Sequence, residues 1–138
     1  MKKVIKKPRK GAAPKTRNAG KSSEAEYFSK IRSALRNAFR YWSPMLIALE
    51  QASRPSQSTN KKLKKEYLCA HCNKWFKRAD VQIDHKIECG SLRCYEDIVP
   101  FIQRLTQENI DAYQILCKNN CHLTKTNLEK NKRKNGIE

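Results

Sequence analysis

Phe28, Ile31, Leu35, Ala38 and Trp42 recur at helical spacing, with Lys30, Arg32, Arg36 and Arg40 on the remaining surface. That period predicts an amphipathic helix. Ser23 and Glu26 have capping-box spacing, so the helix is expected to start at Ser23. Ser43-Pro44 restarts the chain, serine suiting an N-cap and proline the first helical position, and Met45, Leu46 and Leu49 make a short second helix. Arg54 to Asn60 is polar and turn-forming and reads as a linker.

The period then changes. Val81 and Ile83 alternate with Gln82 and Asp84, which is strand periodicity. With Tyr67-Leu68 and Trp75-Phe76 upstream, a β-hairpin is expected across residues 67–84. Residues 86–95, with Gly90, read as a loop. Ile98, Phe101, Ile102 and Leu105 predict a short helix that tolerates Pro100 only in its first turn. Tyr113, Ile115 and Leu116 form an extended run, and a last helix is expected from near Cys121-His122 through Leu128, ending in basic turns. The order of elements predicts an α+β chain in three segments: an arm over 1–22, a helical lead-in and linker over 23–62, and a module over 63–138.

Composition limits the core. The 138 residues are 38% hydrophobic and 8% aromatic, and the mean hydropathy is −0.85. So little apolar material calls for a metal staple in a small domain. A net charge of +17, from 30 Lys+Arg against 13 Asp+Glu, calls for a polyanionic partner, nucleic acid before an anionic membrane. No apolar run approaches the ~18 residues of a membrane span, and no strongly amphipathic basic helix suggests a membrane surface. The arm over 1–22 carries Lys2, Lys3, Lys6, Lys7, Arg9, Lys10, Lys15, Arg17 and Lys21 with no acid before Glu24, and Pro8, Gly11, Pro14 and Gly20 break any helix. It is expected to be disordered, as a phosphate-binding arm or a solvated tail. No apolar segment of a secretory signal follows the basic N-terminus, so a cytoplasmic setting is expected, with the six cysteines as thiols or metal ligands rather than disulfides.

Candidate chemistry gathers in two cysteine clusters. Cys69-x2-Cys72 lets two thiolates grip one ion from a single turn, and Cys117-x3-Cys121 offers a second pair, one residue longer than usual. Together they are expected to close a tetrahedral zinc site. Cys89 and Cys94 are rival ligands whose plainer role is as small side chains, and His71 reads as a surface histidine. A second frame competes. Tyr67-x-Cys69-x2-Cys72-x3-Phe76 followed by His85-x3-Cys89, with twelve residues between Cys72 and His85, fits a zinc finger. That frame needs an apolar helical anchor where Gln82 stands, and it leaves Cys117, Cys121 and His122 unexplained. Asp84, His85 and His122 are residue types that hold a hard metal and activate water.

The string Cys69-x2-Cys72, Val81-x-Ile83-Asp84-His85 and Leu116-Cys117-x3-Cys121-His122-x2-Lys125-Thr126-x2-Glu129 resembles the HNH endonuclease superfamily. More narrowly it is similar to the small zinc-containing HNH proteins common in phages. Ile31 to Arg36 and Tyr41 to Pro44 resemble their helical lead-in, so the likeness covers roughly residues 28–130. The resemblance implies a zinc-stapled ββα-metal core behind the lead-in and the arm. It implies Asp84 and His122 as ligands of a catalytic divalent metal, Mg²⁺ or Mn²⁺, beside the structural Zn²⁺. It implies His85 as general base and Lys125 near a phosphate, with Arg36 and Arg40 as further DNA-binding candidates. The substrate expected is duplex DNA, cut to 5′-phosphate and 3′-hydroxyl ends in a host-cell cytoplasm. Asp84 and His85 are strand neighbours, so they can serve one site only if the strand ends or bends there. Two departures stand out: the extra residue between Cys117 and Cys121, and Ala112 where the family's central asparagine would align, with Asn109 nearby. The alternative is a non-catalytic zinc-binding protein that docks on DNA or RNA. The sequence names no protein partner.

Overall fold

The computed structural model describes residues 11–136, a mixed α+β chain of four α-helices and small antiparallel sheets. The first ten residues of the expected disordered arm lie outside the described residues. From Lys15 onward the arm is paired and does not run free. β1 (Lys15–Arg17) pairs with β2 (Ser22–Ser23). The turn between them holds Asn18 and Ala19 at positive φ, with Gly20 at +79°. Arg17 fixes this hairpin to the body. Its guanidinium lies 4.5 Å from the Tyr27 ring centroid and donates to the Tyr95 hydroxyl at 3.3 Å. The same group is ion-paired with Glu24, and that hydrogen bond raises its already high pKa.

α1 (Glu24–Ala38) begins as expected. Ser23 Oγ accepts from Glu26 N at 3.2 Å, and Ser23 N donates to the Glu26 carboxylate at 2.9 Å. The helix stops at Ala38, short of Trp42, whose indole instead donates to Gln107 O at 3.0 Å. α2 (Ser43–Gln51) takes Trp42 as its N-cap, so Ser43 is already helical and gives no side-chain cap. Proline fits the first turn because its missing N–H would be unsatisfied there anyway.

The expected hairpin across 67–84 forms only as far as Phe76. β4 (Lys65–Leu68) turns back on β5 (Trp75–Phe76), and its other edge pairs with β3 (Ser53–Pro55), so part of the expected linker is strand. β6 (Val81–His85) pairs instead with β7 (Tyr113–Cys117), from Val81 opposite Cys117 to His85 opposite Tyr113. The long connection carries α3 (Ile98–Leu105), with Pro100 in its first turn. α4 (Leu123–Lys134) follows β7 after one π-turn over Lys118–His122.

Three small clusters hold the chain together. Phe28, Cys89, Leu92, Phe101 and Leu105 pack α1 on α3 and the loop before it. Tyr67, Val81 and Ile115, with Leu49 and Ala52 against them, pack α2 on the strands. The third is built from the cysteines with Leu116 and Phe76. Among the described residues no helix is long and apolar enough to cross a membrane.

Candidate metal centre and adjoining cleft

Cys69, Cys72, Cys117 and Cys121 come together from the β4–β5 turn and the β7–α4 junction, their sulfurs all within 4.8 Å of one another. A tetrahedral Zn–S distance of ~2.3 Å sets sulfurs ~3.8 Å apart, so a small closure around an ion completes the site. These four residues could hold a metal ion such as zinc. The first turn is tightened by Asn73 N donating to Cys69 O at 3.0 Å, with Asn73 itself at φ +56°. Asparagine is among the few side chains that tolerate that conformation. The extra residue in Cys117-x3-Cys121 is taken up by the π-turn, whose wider winding still lets Cys121 N donate to Cys117 Sγ at 3.3 Å. His122 thereby stays at the threshold of α4.

The thiols do not ionise alike. Burial opposes ionisation of Cys69, but donors from the Cys72, Cys117 and His71 backbone outweigh it and hold the group down to about 6. Burial, then hydrogen bonding to the Cys117, Cys69 and Cys72 thiols, pushes Cys121 up to about 12. Ionisation is thus favoured at Cys69 and opposed at Cys121. A metal deprotonates its thiol ligands outright.

His85 and Cys89 lie elsewhere, which removes the finger frame. Cys89 is buried beside Phe28 and Phe101, where burial pushes its thiol up. Cys94 and His71 are exposed.

Asp84, His85 and His122 line one cleft of about 430 Å³ between α1, the end of β6, the following loop and α4. β6 ends at His85, which allows strand neighbours to serve the same space. Gln114 Nε2 and Lys125 Nζ each donate to Asp84 Oδ2 at 2.9 Å. Asp84 Oδ1 faces His122 Nε2 across 3.8 Å, beyond hydrogen-bonding range. Lys125 also donates to His85 O at 2.8 Å and pairs with Glu129 at 2.6 Å. Burial alone would lower its pKa, but the Glu129 and Asp84 hydrogen bonds outweigh it and keep it raised.

His85 is half-buried. Its ring meets Tyr113 edge to face at 5.0 Å, and Nε2 lies 3.1 Å from Leu105 O. A carbonyl oxygen only accepts, so Nε2 carries the proton and Nδ1 is the lone-pair nitrogen of the neutral ring. Burial lowers the His85 pKa below its ordinary 6.5, and the Leu105 carbonyl offsets part of this.

Of the DNA-binding candidates, Lys125 and Arg36 line the cleft, whereas Arg40 does not and lies over Tyr41. Arg32, expected on the polar surface of the first helix with Arg36, also lines it, as do Arg93, Arg133 and Glu88, which the sequence did not single out. Arg93 and Glu88 sit in a loop with no periodicity to read. Asn109 takes no part in the cleft. Its side chain caps the short turn 110–112, and the loop is closed by Lys86 N donating to Ala112 O at 2.9 Å. Comparison with known families, curated proteins and solved structures finds no match to this chain.

Proposed function

We propose that this chain is a metal-dependent endonuclease of the HNH kind that hydrolyses phosphodiester bonds of duplex DNA. The observation that carries the reading is the shared cleft, where a carboxylate opposed to an imidazole adjoins a second imidazole whose tautomer is fixed. The β6–β7–α4 order beside the cysteine cluster supports a zinc-stapled ββα-metal core.

His85 is suited to the base role. Leu105 O and the Tyr113 ring hold the imidazole in place. Its lowered pKa keeps it neutral at pH 7, so Nδ1 can take a proton from water attacking phosphorus. Asp84 and His122 would hold the Mg²⁺ or Mn²⁺, which when bound supplies Lewis-acid stabilisation of the phosphate and of the leaving 3′-oxygen. Gln114 and Lys125 orient the Asp84 carboxylate. The expected products carry 5′-phosphate and 3′-hydroxyl ends.

One feature favours the alternative, a zinc-binding protein that docks on nucleic acid without cutting it. Lys125 already neutralises Asp84, so the centre is electrostatically complete without a metal. A supercoiled-plasmid assay separates the two. The nuclease reading predicts nicking in Mg²⁺ or Mn²⁺, none in EDTA, and loss of nicking in Asp84→Asn with DNA binding retained. Salt-sensitive binding by the wild type with no cleavage in either metal leaves the docking protein.

A further inference from the structure

The two walls of the cleft differ in charge. On the α4 wall every cation is matched: Lys125 pairs with Asp84 and Glu129, and Arg133 with Glu88. On the facing wall stand Arg32 and Arg36 from α1 and Arg93 from the loop after β6. Among the described residues none of these three guanidiniums is ion-paired within 4 Å of a carboxylate, although Asp97, which accepts from Arg93 N at 2.8 Å, lies in the field of the Arg93 charge. Arg36 lies over the Phe101 ring, 5.4 Å from its centroid. Arg32 and Arg36 are also like charges one turn apart, which disfavours the helix.

Three guanidiniums that line one concave polar space without a directly paired carboxylate suit an anion. Their planar forks suit phosphate oxygens, which they can grip two at a time. We propose that Arg32, Arg36 and Arg93 form a phosphate subsite that grips a backbone phosphate of the nucleic-acid strand next to the one presented to His85. This deepens the endonuclease reading and rests on it for the phosphate at His85 being the one that is cut. Two consequences follow. The helical lead-in supplies part of the substrate site rather than only a support for the module. The strand lies on the α1 side of the cleft, because the α4 side is already neutralised by its own carboxylates.

The test is binding of a short fluorescent duplex oligonucleotide to the full chain in EDTA over a series of salt concentrations. Arg32→Gln/Arg36→Gln/Arg93→Gln is compared with Lys61→Gln/Lys62→Gln/Lys64→Gln, which removes equal charge from an exposed loop away from the cleft. The arginine variant should lose about tenfold or more in affinity, and its log–log salt slope should shrink by ~0.9 for the phosphate released. The lysine variant should change neither by as much. Because Arg36 packs on Phe101, the double variant Arg32→Gln/Arg93→Gln is the check against misfolding and should show the same direction with an unchanged melting temperature. An arginine variant that binds like the lysine variant overturns the subsite. If the wild type cuts plasmid while the subsite fails this test, the endonuclease reading survives alone. If binding depends on the arginines but nothing cuts, the subsite survives alone. Absence of any binding by the wild type overturns both.

Discussion

A single residue decides less by its type than by what its neighbours leave it free to do. His85 is one of three histidines in the chain. It differs from His71 because Leu105 O fixes its protonated nitrogen and burial keeps it neutral. The cysteines divide the same way. Cys69, Cys72, Cys117 and Cys121 converge, Cys89 is core and Cys94 is exposed. An alkylating reagent should therefore modify Cys94 rapidly in the folded, metal-loaded protein and leave Cys89 intact until unfolding. Equal labelling of both would contradict the packing. Burial also gives Cys89 a pH signature. Its folded pKa is raised above the ordinary 9.0, so above that pH the unfolded chain holds fewer protons than the native one, and stability must fall as pH rises. Tyr113, raised by burial from 10.0, adds to the same alkaline loss. Chemical denaturation at pH 8 and pH 10.5 should show the midpoint falling, and Cys89→Ser should reduce the difference.

At the scale of elements, local signals were legible and distant pairings were not. The Ser23 and Glu26 capping box set the start of α1, and both bonds are present. Replacing Ser23 by alanine should cost about 1 kcal/mol, read as a drop of a few degrees in melting temperature. An unchanged melt would mean that the β1–β2 hairpin alone holds the helix start. The alternation of Val81 to His85 identified a strand, but not its partner. β5 is close in sequence to β4 and captures it through the Cys69–Cys72 turn, leaving β6 to pair across the long connection with β7. Periodicity reports which residues share a face and says nothing about which edge they meet. The π-turn was illegible for another reason. One extra residue between cysteines reads as a distortion until its winding shows it absorbed, with His122 kept in place. Arg17 likewise read as part of a free arm, because its cage of Tyr27 and Tyr95 joins segments far apart in sequence.

Across the whole molecule, the apolar residues fall into small separate clusters, a setting in which a metal staple would matter. The cysteine cluster, which could hold one, joins the β4–β5 turn to the β7–α4 junction, and among the described residues no large apolar core spans them. Structural zinc contributes roughly 10–16 kcal/mol to folding in small modules, comparable with the whole stability of a domain this size. Chelation of the zinc-loaded protein at neutral pH should free four thiols and shift the thermal transition sharply downward, with recovery on adding Zn²⁺ back. A chelator that leaves the transition unmoved would show that the cysteines are not a metal staple. The staple also places His122 and Lys125 opposite Asp84, so folding and the proposed chemistry share one support. The measurement that bears most directly on the endonuclease reading compares plasmid cleavage by the wild type and His85→Ala in Mg²⁺ or Mn²⁺, with zinc content and melting followed in parallel. Removing a positioned base should slow nicking by about 10²–10⁴-fold, while zinc loading and DNA binding persist because His85 lies outside the cysteine cluster. Undiminished cleavage by a folded, zinc-loaded His85→Ala would contradict the reading.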